Sequence, residues 1–468
     1  MNTTELCFTP ALELARRIKA KELSPVEVTE AVLGRIAALN PRLNAFCTLT
    51  EDAARKTARG VEKKILAGED AGPLGGVPFS IKDLIITRGV RTMRGSKIYE
   101  HFVPEEDAPV VSRLHAAGGV MLGKTTTSEF GWKGVTDTVV TGITRNPWNL
   151  DCTPGGSSGG AGAQIAAGLG PLAIGTDGGG SIRIPAGFSG VFGIKPSFGR
   201  VPTYPASGHD QLSHPGPLTR TVADAALMLQ VIAGPHESDR FSLEAPPAPY
   251  LARLHEGVKG LRVAWSPDLG YAKVHPEVRA IAERAARAFQ ELGCTVEEVD
   301  PGLGDPTDVF MVIYLLGVAG GLSPLLEQWE TQMDPNLARV IREGRNVSAM
   351  QLSQAQLARH QLWDRTRRFF QTHDLLLTPT LAVPAFPVGQ LTPDGKDASL
   401  RESFAWTPFT YPFNLTGNPA ASLPAGFTSA GLPVGLQVVG RRFDDLTVLQ
   451  ACAAFEAAHP WAQKRPPL

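Results

Sequence analysis

The chain has 468 residues, long for one hydrophobic core but within reach of a large α/β enzyme. Its 43% hydrophobic and 19% charged content fits a folded soluble protein, and a formal net charge of −1 argues against nucleic acid or an anionic membrane surface as partner. The five cysteines (Cys7, Cys47, Cys152, Cys294, Cys452) are scattered and odd in number, so they read as reduced thiols of a cytoplasmic protein, not as a disulfide framework.

The first residues, MNTTELCFTPALELARRIKAKEL, lack the basic segment and apolar core of a signal peptide. Thr9-Pro10 opens a helix with Ala11, Leu14 and Ile18 on one face. Ser24-Pro25-Val26-Glu27 reads as a capping box with proline at the first helical position. The helix it starts carries Val28, Val32, Ile36 and Leu39 until Asn40-Pro41 is expected to stop it. Residues 1–70 are therefore expected to form a helical N-terminal layer of the same domain. After Gly72-Pro73-Leu74-Gly75-Gly76, the alternation of Val77, Phe79 and Ile81 predicts a short strand that puts Lys82 on the opposite face. Residues 107–118 read as a helix, 120–122 as a strand, 161–167 as a small-residue helix, and 172–174 as a buried strand running into Asp177. Thr221-Val222-Ala223-Asp224 opens another helix with a capping-box pattern.

Residues 235–260 are rich in proline and charge, a surface excursion. A strand at 261–265, a helix at 275–292 and a strand at 295–299 form a βαβ-like unit. A mostly helical insertion follows at about 300–372. Its apolar run, 309–322, is too short for a membrane span and is expected to pack inside. Strands at 375–377, 421–423 and 434–439 and a helix at 446–458 close the chain. Strands and helices alternate throughout, which predicts an α/β fold with one large sheet over 71–468.

Gly155-Gly156-Ser157-Ser158-Gly159 satisfies the G-x-S-x-G pattern of a nucleophile elbow, a motif that needs a strand running into the serine. The preceding stretch, Asn146 to Pro154, contains two prolines and argues against that strand. No Lys-Ser/Thr pair follows Gly160, so a phosphate loop fails as well. No H-E-x-x-H or Cys-x-x-Cys occurs, so neither a metal site nor a cofactor is expected. A Ser-His-Asp site remains open by counting, although no histidine stands in a catalytic motif. The better nucleophile is Ser181, reached from an apolar strand through Gly175-Thr176-Asp177 and three glycines whose N–H groups can aim at one point. A serine hydroxyl needs a base, and the candidate is Lys82.

Gly72 to Asp83, the GGSSGG run and the Asp177–Pro185 run together resemble the amidase signature family. Lys82 and Ser157 are 75 residues apart, and Ser157 and Ser181 are 24 apart, as in that family. Asn146-Pro147-Trp148, Gly193 to Ser197, Gly216 to Asp224, Pro412 to Pro419 and Leu432 to Gln437 extend the resemblance over most of the chain. It implies a single large domain with a mixed central sheet covered by helices. It implies a Ser–cisSer–Lys triad on Ser181, Ser157 and Lys82, with a cis bond at Gly156–Ser157. An acyl-enzyme would form on Ser181, and the oxyanion hole would come from Gly178, Gly179 and Gly180, with Ser181 as a further donor. Ser158 is expected to support Lys82, and Asp177 and Arg183 to pair across the nucleophile loop.

The resemblance also extends to the glutaminase component of the glutamine-dependent tRNA amidotransferase, the alternative reading. There an acidic residue reads the substrate's α-amino group, and the aligned residue here is Thr407. Arg359 is a loose match for a carboxylate partner and reads better as a solvated helix arginine. Without a charged reader, a stand-alone hydrolase of aryl or alkyl amides is favoured, with esters and carbamates as side activities. Trp132, Phe409, Tyr411 and the run 309–322 are expected to line its pocket. The expected partner is a small-molecule amide, with no nucleic acid, no membrane span, and a monomer or homodimer as the assembly.

Overall fold

The computed structural model describes residues 2–206, 208, 209, 211–396 and 398–468. In chain order the strands are β1 (Phe46–Leu49), β2 (Pro78–Lys82), β3 (Val120–Thr125), β4 (Asp137–Thr138), β5 (Gly142–Ile143), β6 (Leu172–Asp177) and β7 (Phe192–Lys195). They continue as β8 (His214–Thr219), β9 (Arg262–Trp265), β10 (Thr295–Glu298), β11 (Leu375–Pro379), β12 (Ala420–Phe427) and β13 (Pro433–Gly440). Among the described residues, β4 and β5 make a small ribbon and the other eleven form one sheet, ordered β1-β3-β2-β6-β8-β7-β12-β13-β11-β9-β10.

The sheet is mixed for a local reason. β2 is parallel to β3 and β6, and β9 is parallel to β10 and β11, because helices cross over between those strands. The remaining neighbours are antiparallel. Helices cover both faces, so β2, β3, β8, β11 and β13 are buried along their whole length. The βαβ unit falls as expected, with the helix Pro276–Glu291 between β9 and β10.

Three local expectations are corrected. The second long helix runs Pro25–Leu43, through Pro41. Proline sits in its last turn, and the chain stops only at Asn44, which is left-handed (φ 52°), while Asn40 Oδ1 accepts the N–H groups of Ala45 and Phe46. The N-terminal layer is not wholly helical, since β1 pairs antiparallel with β3 and supplies the sheet's edge. The Thr221 box is one-sided: Thr221 accepts from Asp224 N–H, but the Asp224 carboxylate receives Ala11 and Leu12 N–H at 2.9 Å each. It caps the distant helix Ala11–Lys19 instead.

The helices Thr307–Trp329, Pro335–Arg345 and Ala349–Thr372 pack together over one end of the sheet. By length and composition the stretch Thr307–Gln332 could cross a membrane, longer than the apolar run alone suggested. Its Phe310, Ile313, Tyr314 and Val318 are buried in the protein.

Candidate active site

β2 and β6 run parallel with Ile81 opposite Ile174, so both strands end at the same edge of the sheet. Ligand crevices in α/β sheets lie beyond such carboxyl ends. Lys82 is the last residue of β2 and Asp177 the last of β6. Strand alternation turns Ser80 and Lys82 away from Phe79 and Ile81, toward the helix Gly159–Ala166. Ser80 Oγ donates to Gln164 of that helix. Lys82 Nζ lies 2.6 Å from Ser157 Oγ, just before the helix, and 2.9 Å from Thr176 Oγ1. Burial drives the pKa of Lys82 well below the ordinary 10.5, against the opposing pull of Asp177, which favours an uncharged amine.

The Gly156–Ser157 peptide is cis. A Cβ on Gly156 would sit 2.6 Å from the carbonyl of Val135, so this passage is open only to glycine. Ser158 N–H donates to Ser181 O at 3.2 Å, laying the two serine loops side by side. Ser158 Oγ donates to Thr176 O at 3.2 Å and accepts Thr176 N–H at 3.3 Å. It therefore steadies Thr176, not Lys82 itself.

After β6 the chain turns through Gly178–Ser181 into the helix Arg183–Ser189. Asp177 holds the turn, accepting Gly180 N–H at 2.8 Å and Ile182 N–H at 3.2 Å. Arg183 grips the same carboxylate with two bonds of 2.9 Å, and both side chains are fully buried. Burial alone would raise the Asp177 pKa, but the Arg183 charge and hydrogen bonds outweigh it and hold it well below the usual carboxylate range. Arg183 also donates to Thr410 O, Gln437 Oε1 and Asn414 Oδ1 at 2.7–2.8 Å. With the Gly180 N–H committed to Asp177, the N–H groups of Gly178, Gly179 and Ser181 remain without a partner among the described residues.

Both serines open onto a cavity of about 360 Å³. One wall comes from the helix Thr307–Trp329, whose Phe310, Tyr314 and Val318 recur every four residues and so share a face. Phe310 stacks on Tyr314 at 5.3 Å and on Tyr411 at 4.8 Å, and Phe404 and Trp406 extend the wall. A Cβ on Gly179 would lie 2.9 Å from Phe310, so this aromatic wall abuts the turn Gly178–Ser181 directly. The other side is formed by Gly131, Phe130, Tyr99 and Arg94. A Cβ on Gly131 would lie 3.2 Å from Ser157 Oγ, which places this side against the second serine. His214 Nδ1 faces two carbonyl oxygens, Leu212 at 2.7 Å and Asp177 at 3.2 Å, so the network assigns the proton there and leaves Nε2 a bare acceptor. Burial, with Lys195 nearby, keeps this ring neutral by lowering its pKa well below 6.5.

Residues 27–449 match the family model described as Amidase. The chain belongs to the amidase family. It is 43% identical over 472 residues to an acylamidase of Rhodococcus erythropolis, covering 100% of this chain and 98% of that protein. It is also 38% identical over 478 residues to a glutamyl-tRNA(Gln) amidotransferase component of Geobacter metallireducens, covering 96% and 97%. Among solved structures, a bacterial aryl acylamidase of the amidase signature family matches with a TM-score of 0.90 at 34% identity, covering 97% of each chain. The family resemblance read from the motifs, and the α/β fold with one large mixed sheet, are thereby established, as is the enzyme class: this chain is an amidase.

The amidase brings Ser157 and Ser181 to the cavity, with Lys82 behind Ser157 and in contact with it. Asp177 and Arg183 pair as expected, and Trp132 lines the cavity. Three expectations need correction. Gly180 points its N–H at Asp177, so the open array is Gly178, Gly179 and Ser181. Phe409 and Tyr411 do not reach the cavity: Phe409 is buried with its carbonyl on Gln437, and the Tyr411 hydroxyl meets Thr307 at 2.7 Å behind Phe310. Thr407 does line the cavity. Arg359 lies elsewhere, half-buried and bonded to Leu415 O at 2.6 Å and to Gln211, so it is not a freely solvated side chain. Sequence reasoning passed over Thr176, and Thr410, whose Oγ1 donates to Gly179 O at 2.6 Å. It also passed over Phe310 and Tyr314 as individuals, although their four-residue spacing within an apolar run was a usable signal.

Proposed function

We propose that this amidase is a stand-alone serine hydrolase of aryl or alkyl amides, working through an acyl-enzyme on Ser181. The observation that carries the reading is the buried Lys82, its pKa lowered by burial, in 2.6 Å contact with Ser157, whose loop lies against that of Ser181. Ser181 Oγ attacks the amide carbon. Its proton passes to Ser157 Oγ, which gives its own to Lys82 Nζ. The carbonyl oxygen gains negative charge and is met by the open N–H groups of Gly178, Gly179 and Ser181, each such donor being worth about 3 kcal/mol in a transition state. The proton then returns from Lys82 through Ser157 to the amide nitrogen, the C–N bond breaks, and the amine leaves. Water hydrolyses the acyl-Ser181 ester by the same relay and restores the starting charges.

The aromatic wall of Phe310, Tyr314 and Phe404 favours an apolar acyl or aryl half. The amidotransferase reading has the Geobacter similarity in its favour, but among the described cavity-lining residues no carboxylate is available to an α-amino group. The test is a turnover comparison. We expect anilide hydrolysis with kcat/KM well above that for free glutamine; glutamine turnover exceeding anilide turnover would overturn the reading.

A further inference from the structure

The side of the cavity next to Ser157 contains a cation that the relay does not use. Arg94 lines the cavity, with its guanidinium carbon 4.8 Å from the centre of the Tyr99 ring and 6.0 Å from that of Phe102. Those cation–π contacts leave its charge without a counter-ion among the described residues. It makes no ion pair with a described residue, and its Nε is buried without a hydrogen-bond partner. The nearby Asp83 carboxylate is turned to the N–H of Met93 at 3.1–3.3 Å, not to Arg94. The other cation on the lining, Lys133, is already paired with Asp137 and Asp334. No aspartate or glutamate occurs among the described lining residues, so no described carboxylate opposes Arg94 across the cavity.

Its backbone sharpens the point. Arg94 is left-handed, φ 55°, a region that costs a branched or long side chain energy and suits glycine or asparagine. The conformation is fixed from both sides, by Arg94 N–H on Asp83 O at 3.1 Å and by Phe130 N–H on Arg94 O at 2.8 Å. A long cationic side chain in a strained position, lining a cavity and without an ion pair among the described residues, is the arrangement expected of a ligand-binding group. Phe130 continues into Gly131, which abuts Ser157, so the guanidinium lies on the side where the relay returns its proton to nitrogen.

We infer that Arg94 binds a carboxylate, or an anion of like shape, carried by the amine half of the amide substrate. The inference rests on the proposed relay for its orientation, since the leaving amine must lie by Ser157. It narrows the substrate class to N-acylated aryl or alkyl amines bearing an acidic group.

The test compares para-acetamidobenzoate with para-nitroacetanilide, which has a neutral group of the same planar shape. The readout is the ratio of their kcat/KM values. An Arg–carboxylate bond should contribute ~10–100-fold, so Arg94→Gln should lower the ratio by that factor, chiefly through KM of the carboxylate substrate. Arg94→Lys, which keeps the charge, should retain most of the ratio. In the unaltered enzyme, para-aminobenzoate should inhibit ~10-fold more tightly than the neutral para-aminobenzamide, and this preference should weaken with added salt. A ratio unchanged in Arg94→Gln, or equal inhibition by the two amines, would overturn the inference. A ratio change seen only with a carboxylate on the acyl half would overturn it as well. Failure of the serine relay would appear separately, as turnover that survives Ser181→Ala while the Arg94-dependent binding of para-aminobenzoate persists.

Discussion

At the scale of single residues, Lys82 carries the proposed chemistry, and it does so because of where its strand ends. The same side chain on the surface would be an ammonium ion; buried between Ser157 and Thr176, it favours the neutral form. The sign of the consequence is fixed. Because the folded-state pKa lies below the unfolded one, the unfolded chain binds more protons between the two values, and stability rises with pH through that window up to about the ordinary 10.5. Lys82→Met should therefore be more stable than the parent at neutral pH, with the difference closing as the pH approaches that value. Denaturant unfolding across pH checks this, and a difference independent of pH would contradict it. The identity of Lys82 as a candidate was legible through period-two alternation and the family motif. Its partner Thr176 was not, because that contact depends on the register of β2 against β6.

At the scale of elements, the loop that carries Ser181, the proposed nucleophile, is a short turn between β6 and the helix Arg183–Ser189, held by one buried ion pair that reaches into three other segments. Arg183 joins Asp177, Thr410, Asn414 and Gln437, so it ties the end of β6 to β13 and to the helix Pro412–Thr416. Removing one partner of a buried pair strands the other charge. Arg183→Met should accordingly lose ~3–5 kcal/mol in denaturant unfolding, and a loss below ~1 kcal/mol would show that the pair is dispensable. The elements themselves were partly legible: hydrophobic period and turn residues marked eight of the eleven strands of the sheet, while β1, β7, β8 and the helix Glu51–Leu66 went unread. Pro41 misled because a proline in the last turn of a helix breaks little. β1 escaped notice because Phe46–Leu49 carries no clean alternation and becomes a strand only by pairing with β3.

At the scale of the whole molecule, one sheet gathers residues from distant stretches of the chain onto its edge, and the helix Thr307–Trp329, backed by the helices Pro335–Arg345 and Ala349–Thr372, closes that edge into a cavity. This closure was the least legible part. Nothing in the run 309–322 says that Phe310 will face Gly179, and the fully buried Phe409 and Tyr411 look as suitable for a lining as Phe404 and Trp406 do. Long-range packing sorts wall from backing, and sequence spacing alone cannot. The roles proposed for the two serines rest on the same gathering: Ser157 touches the lysine, and Ser181 sits among the open N–H groups. The most direct test is labelling with a serine-directed fluorophosphonate followed by peptide mapping. The account predicts one adduct, on Ser181, abolished in Ser181→Ala; an adduct on Ser157, or labelling that persists in Ser181→Ala, would contradict it.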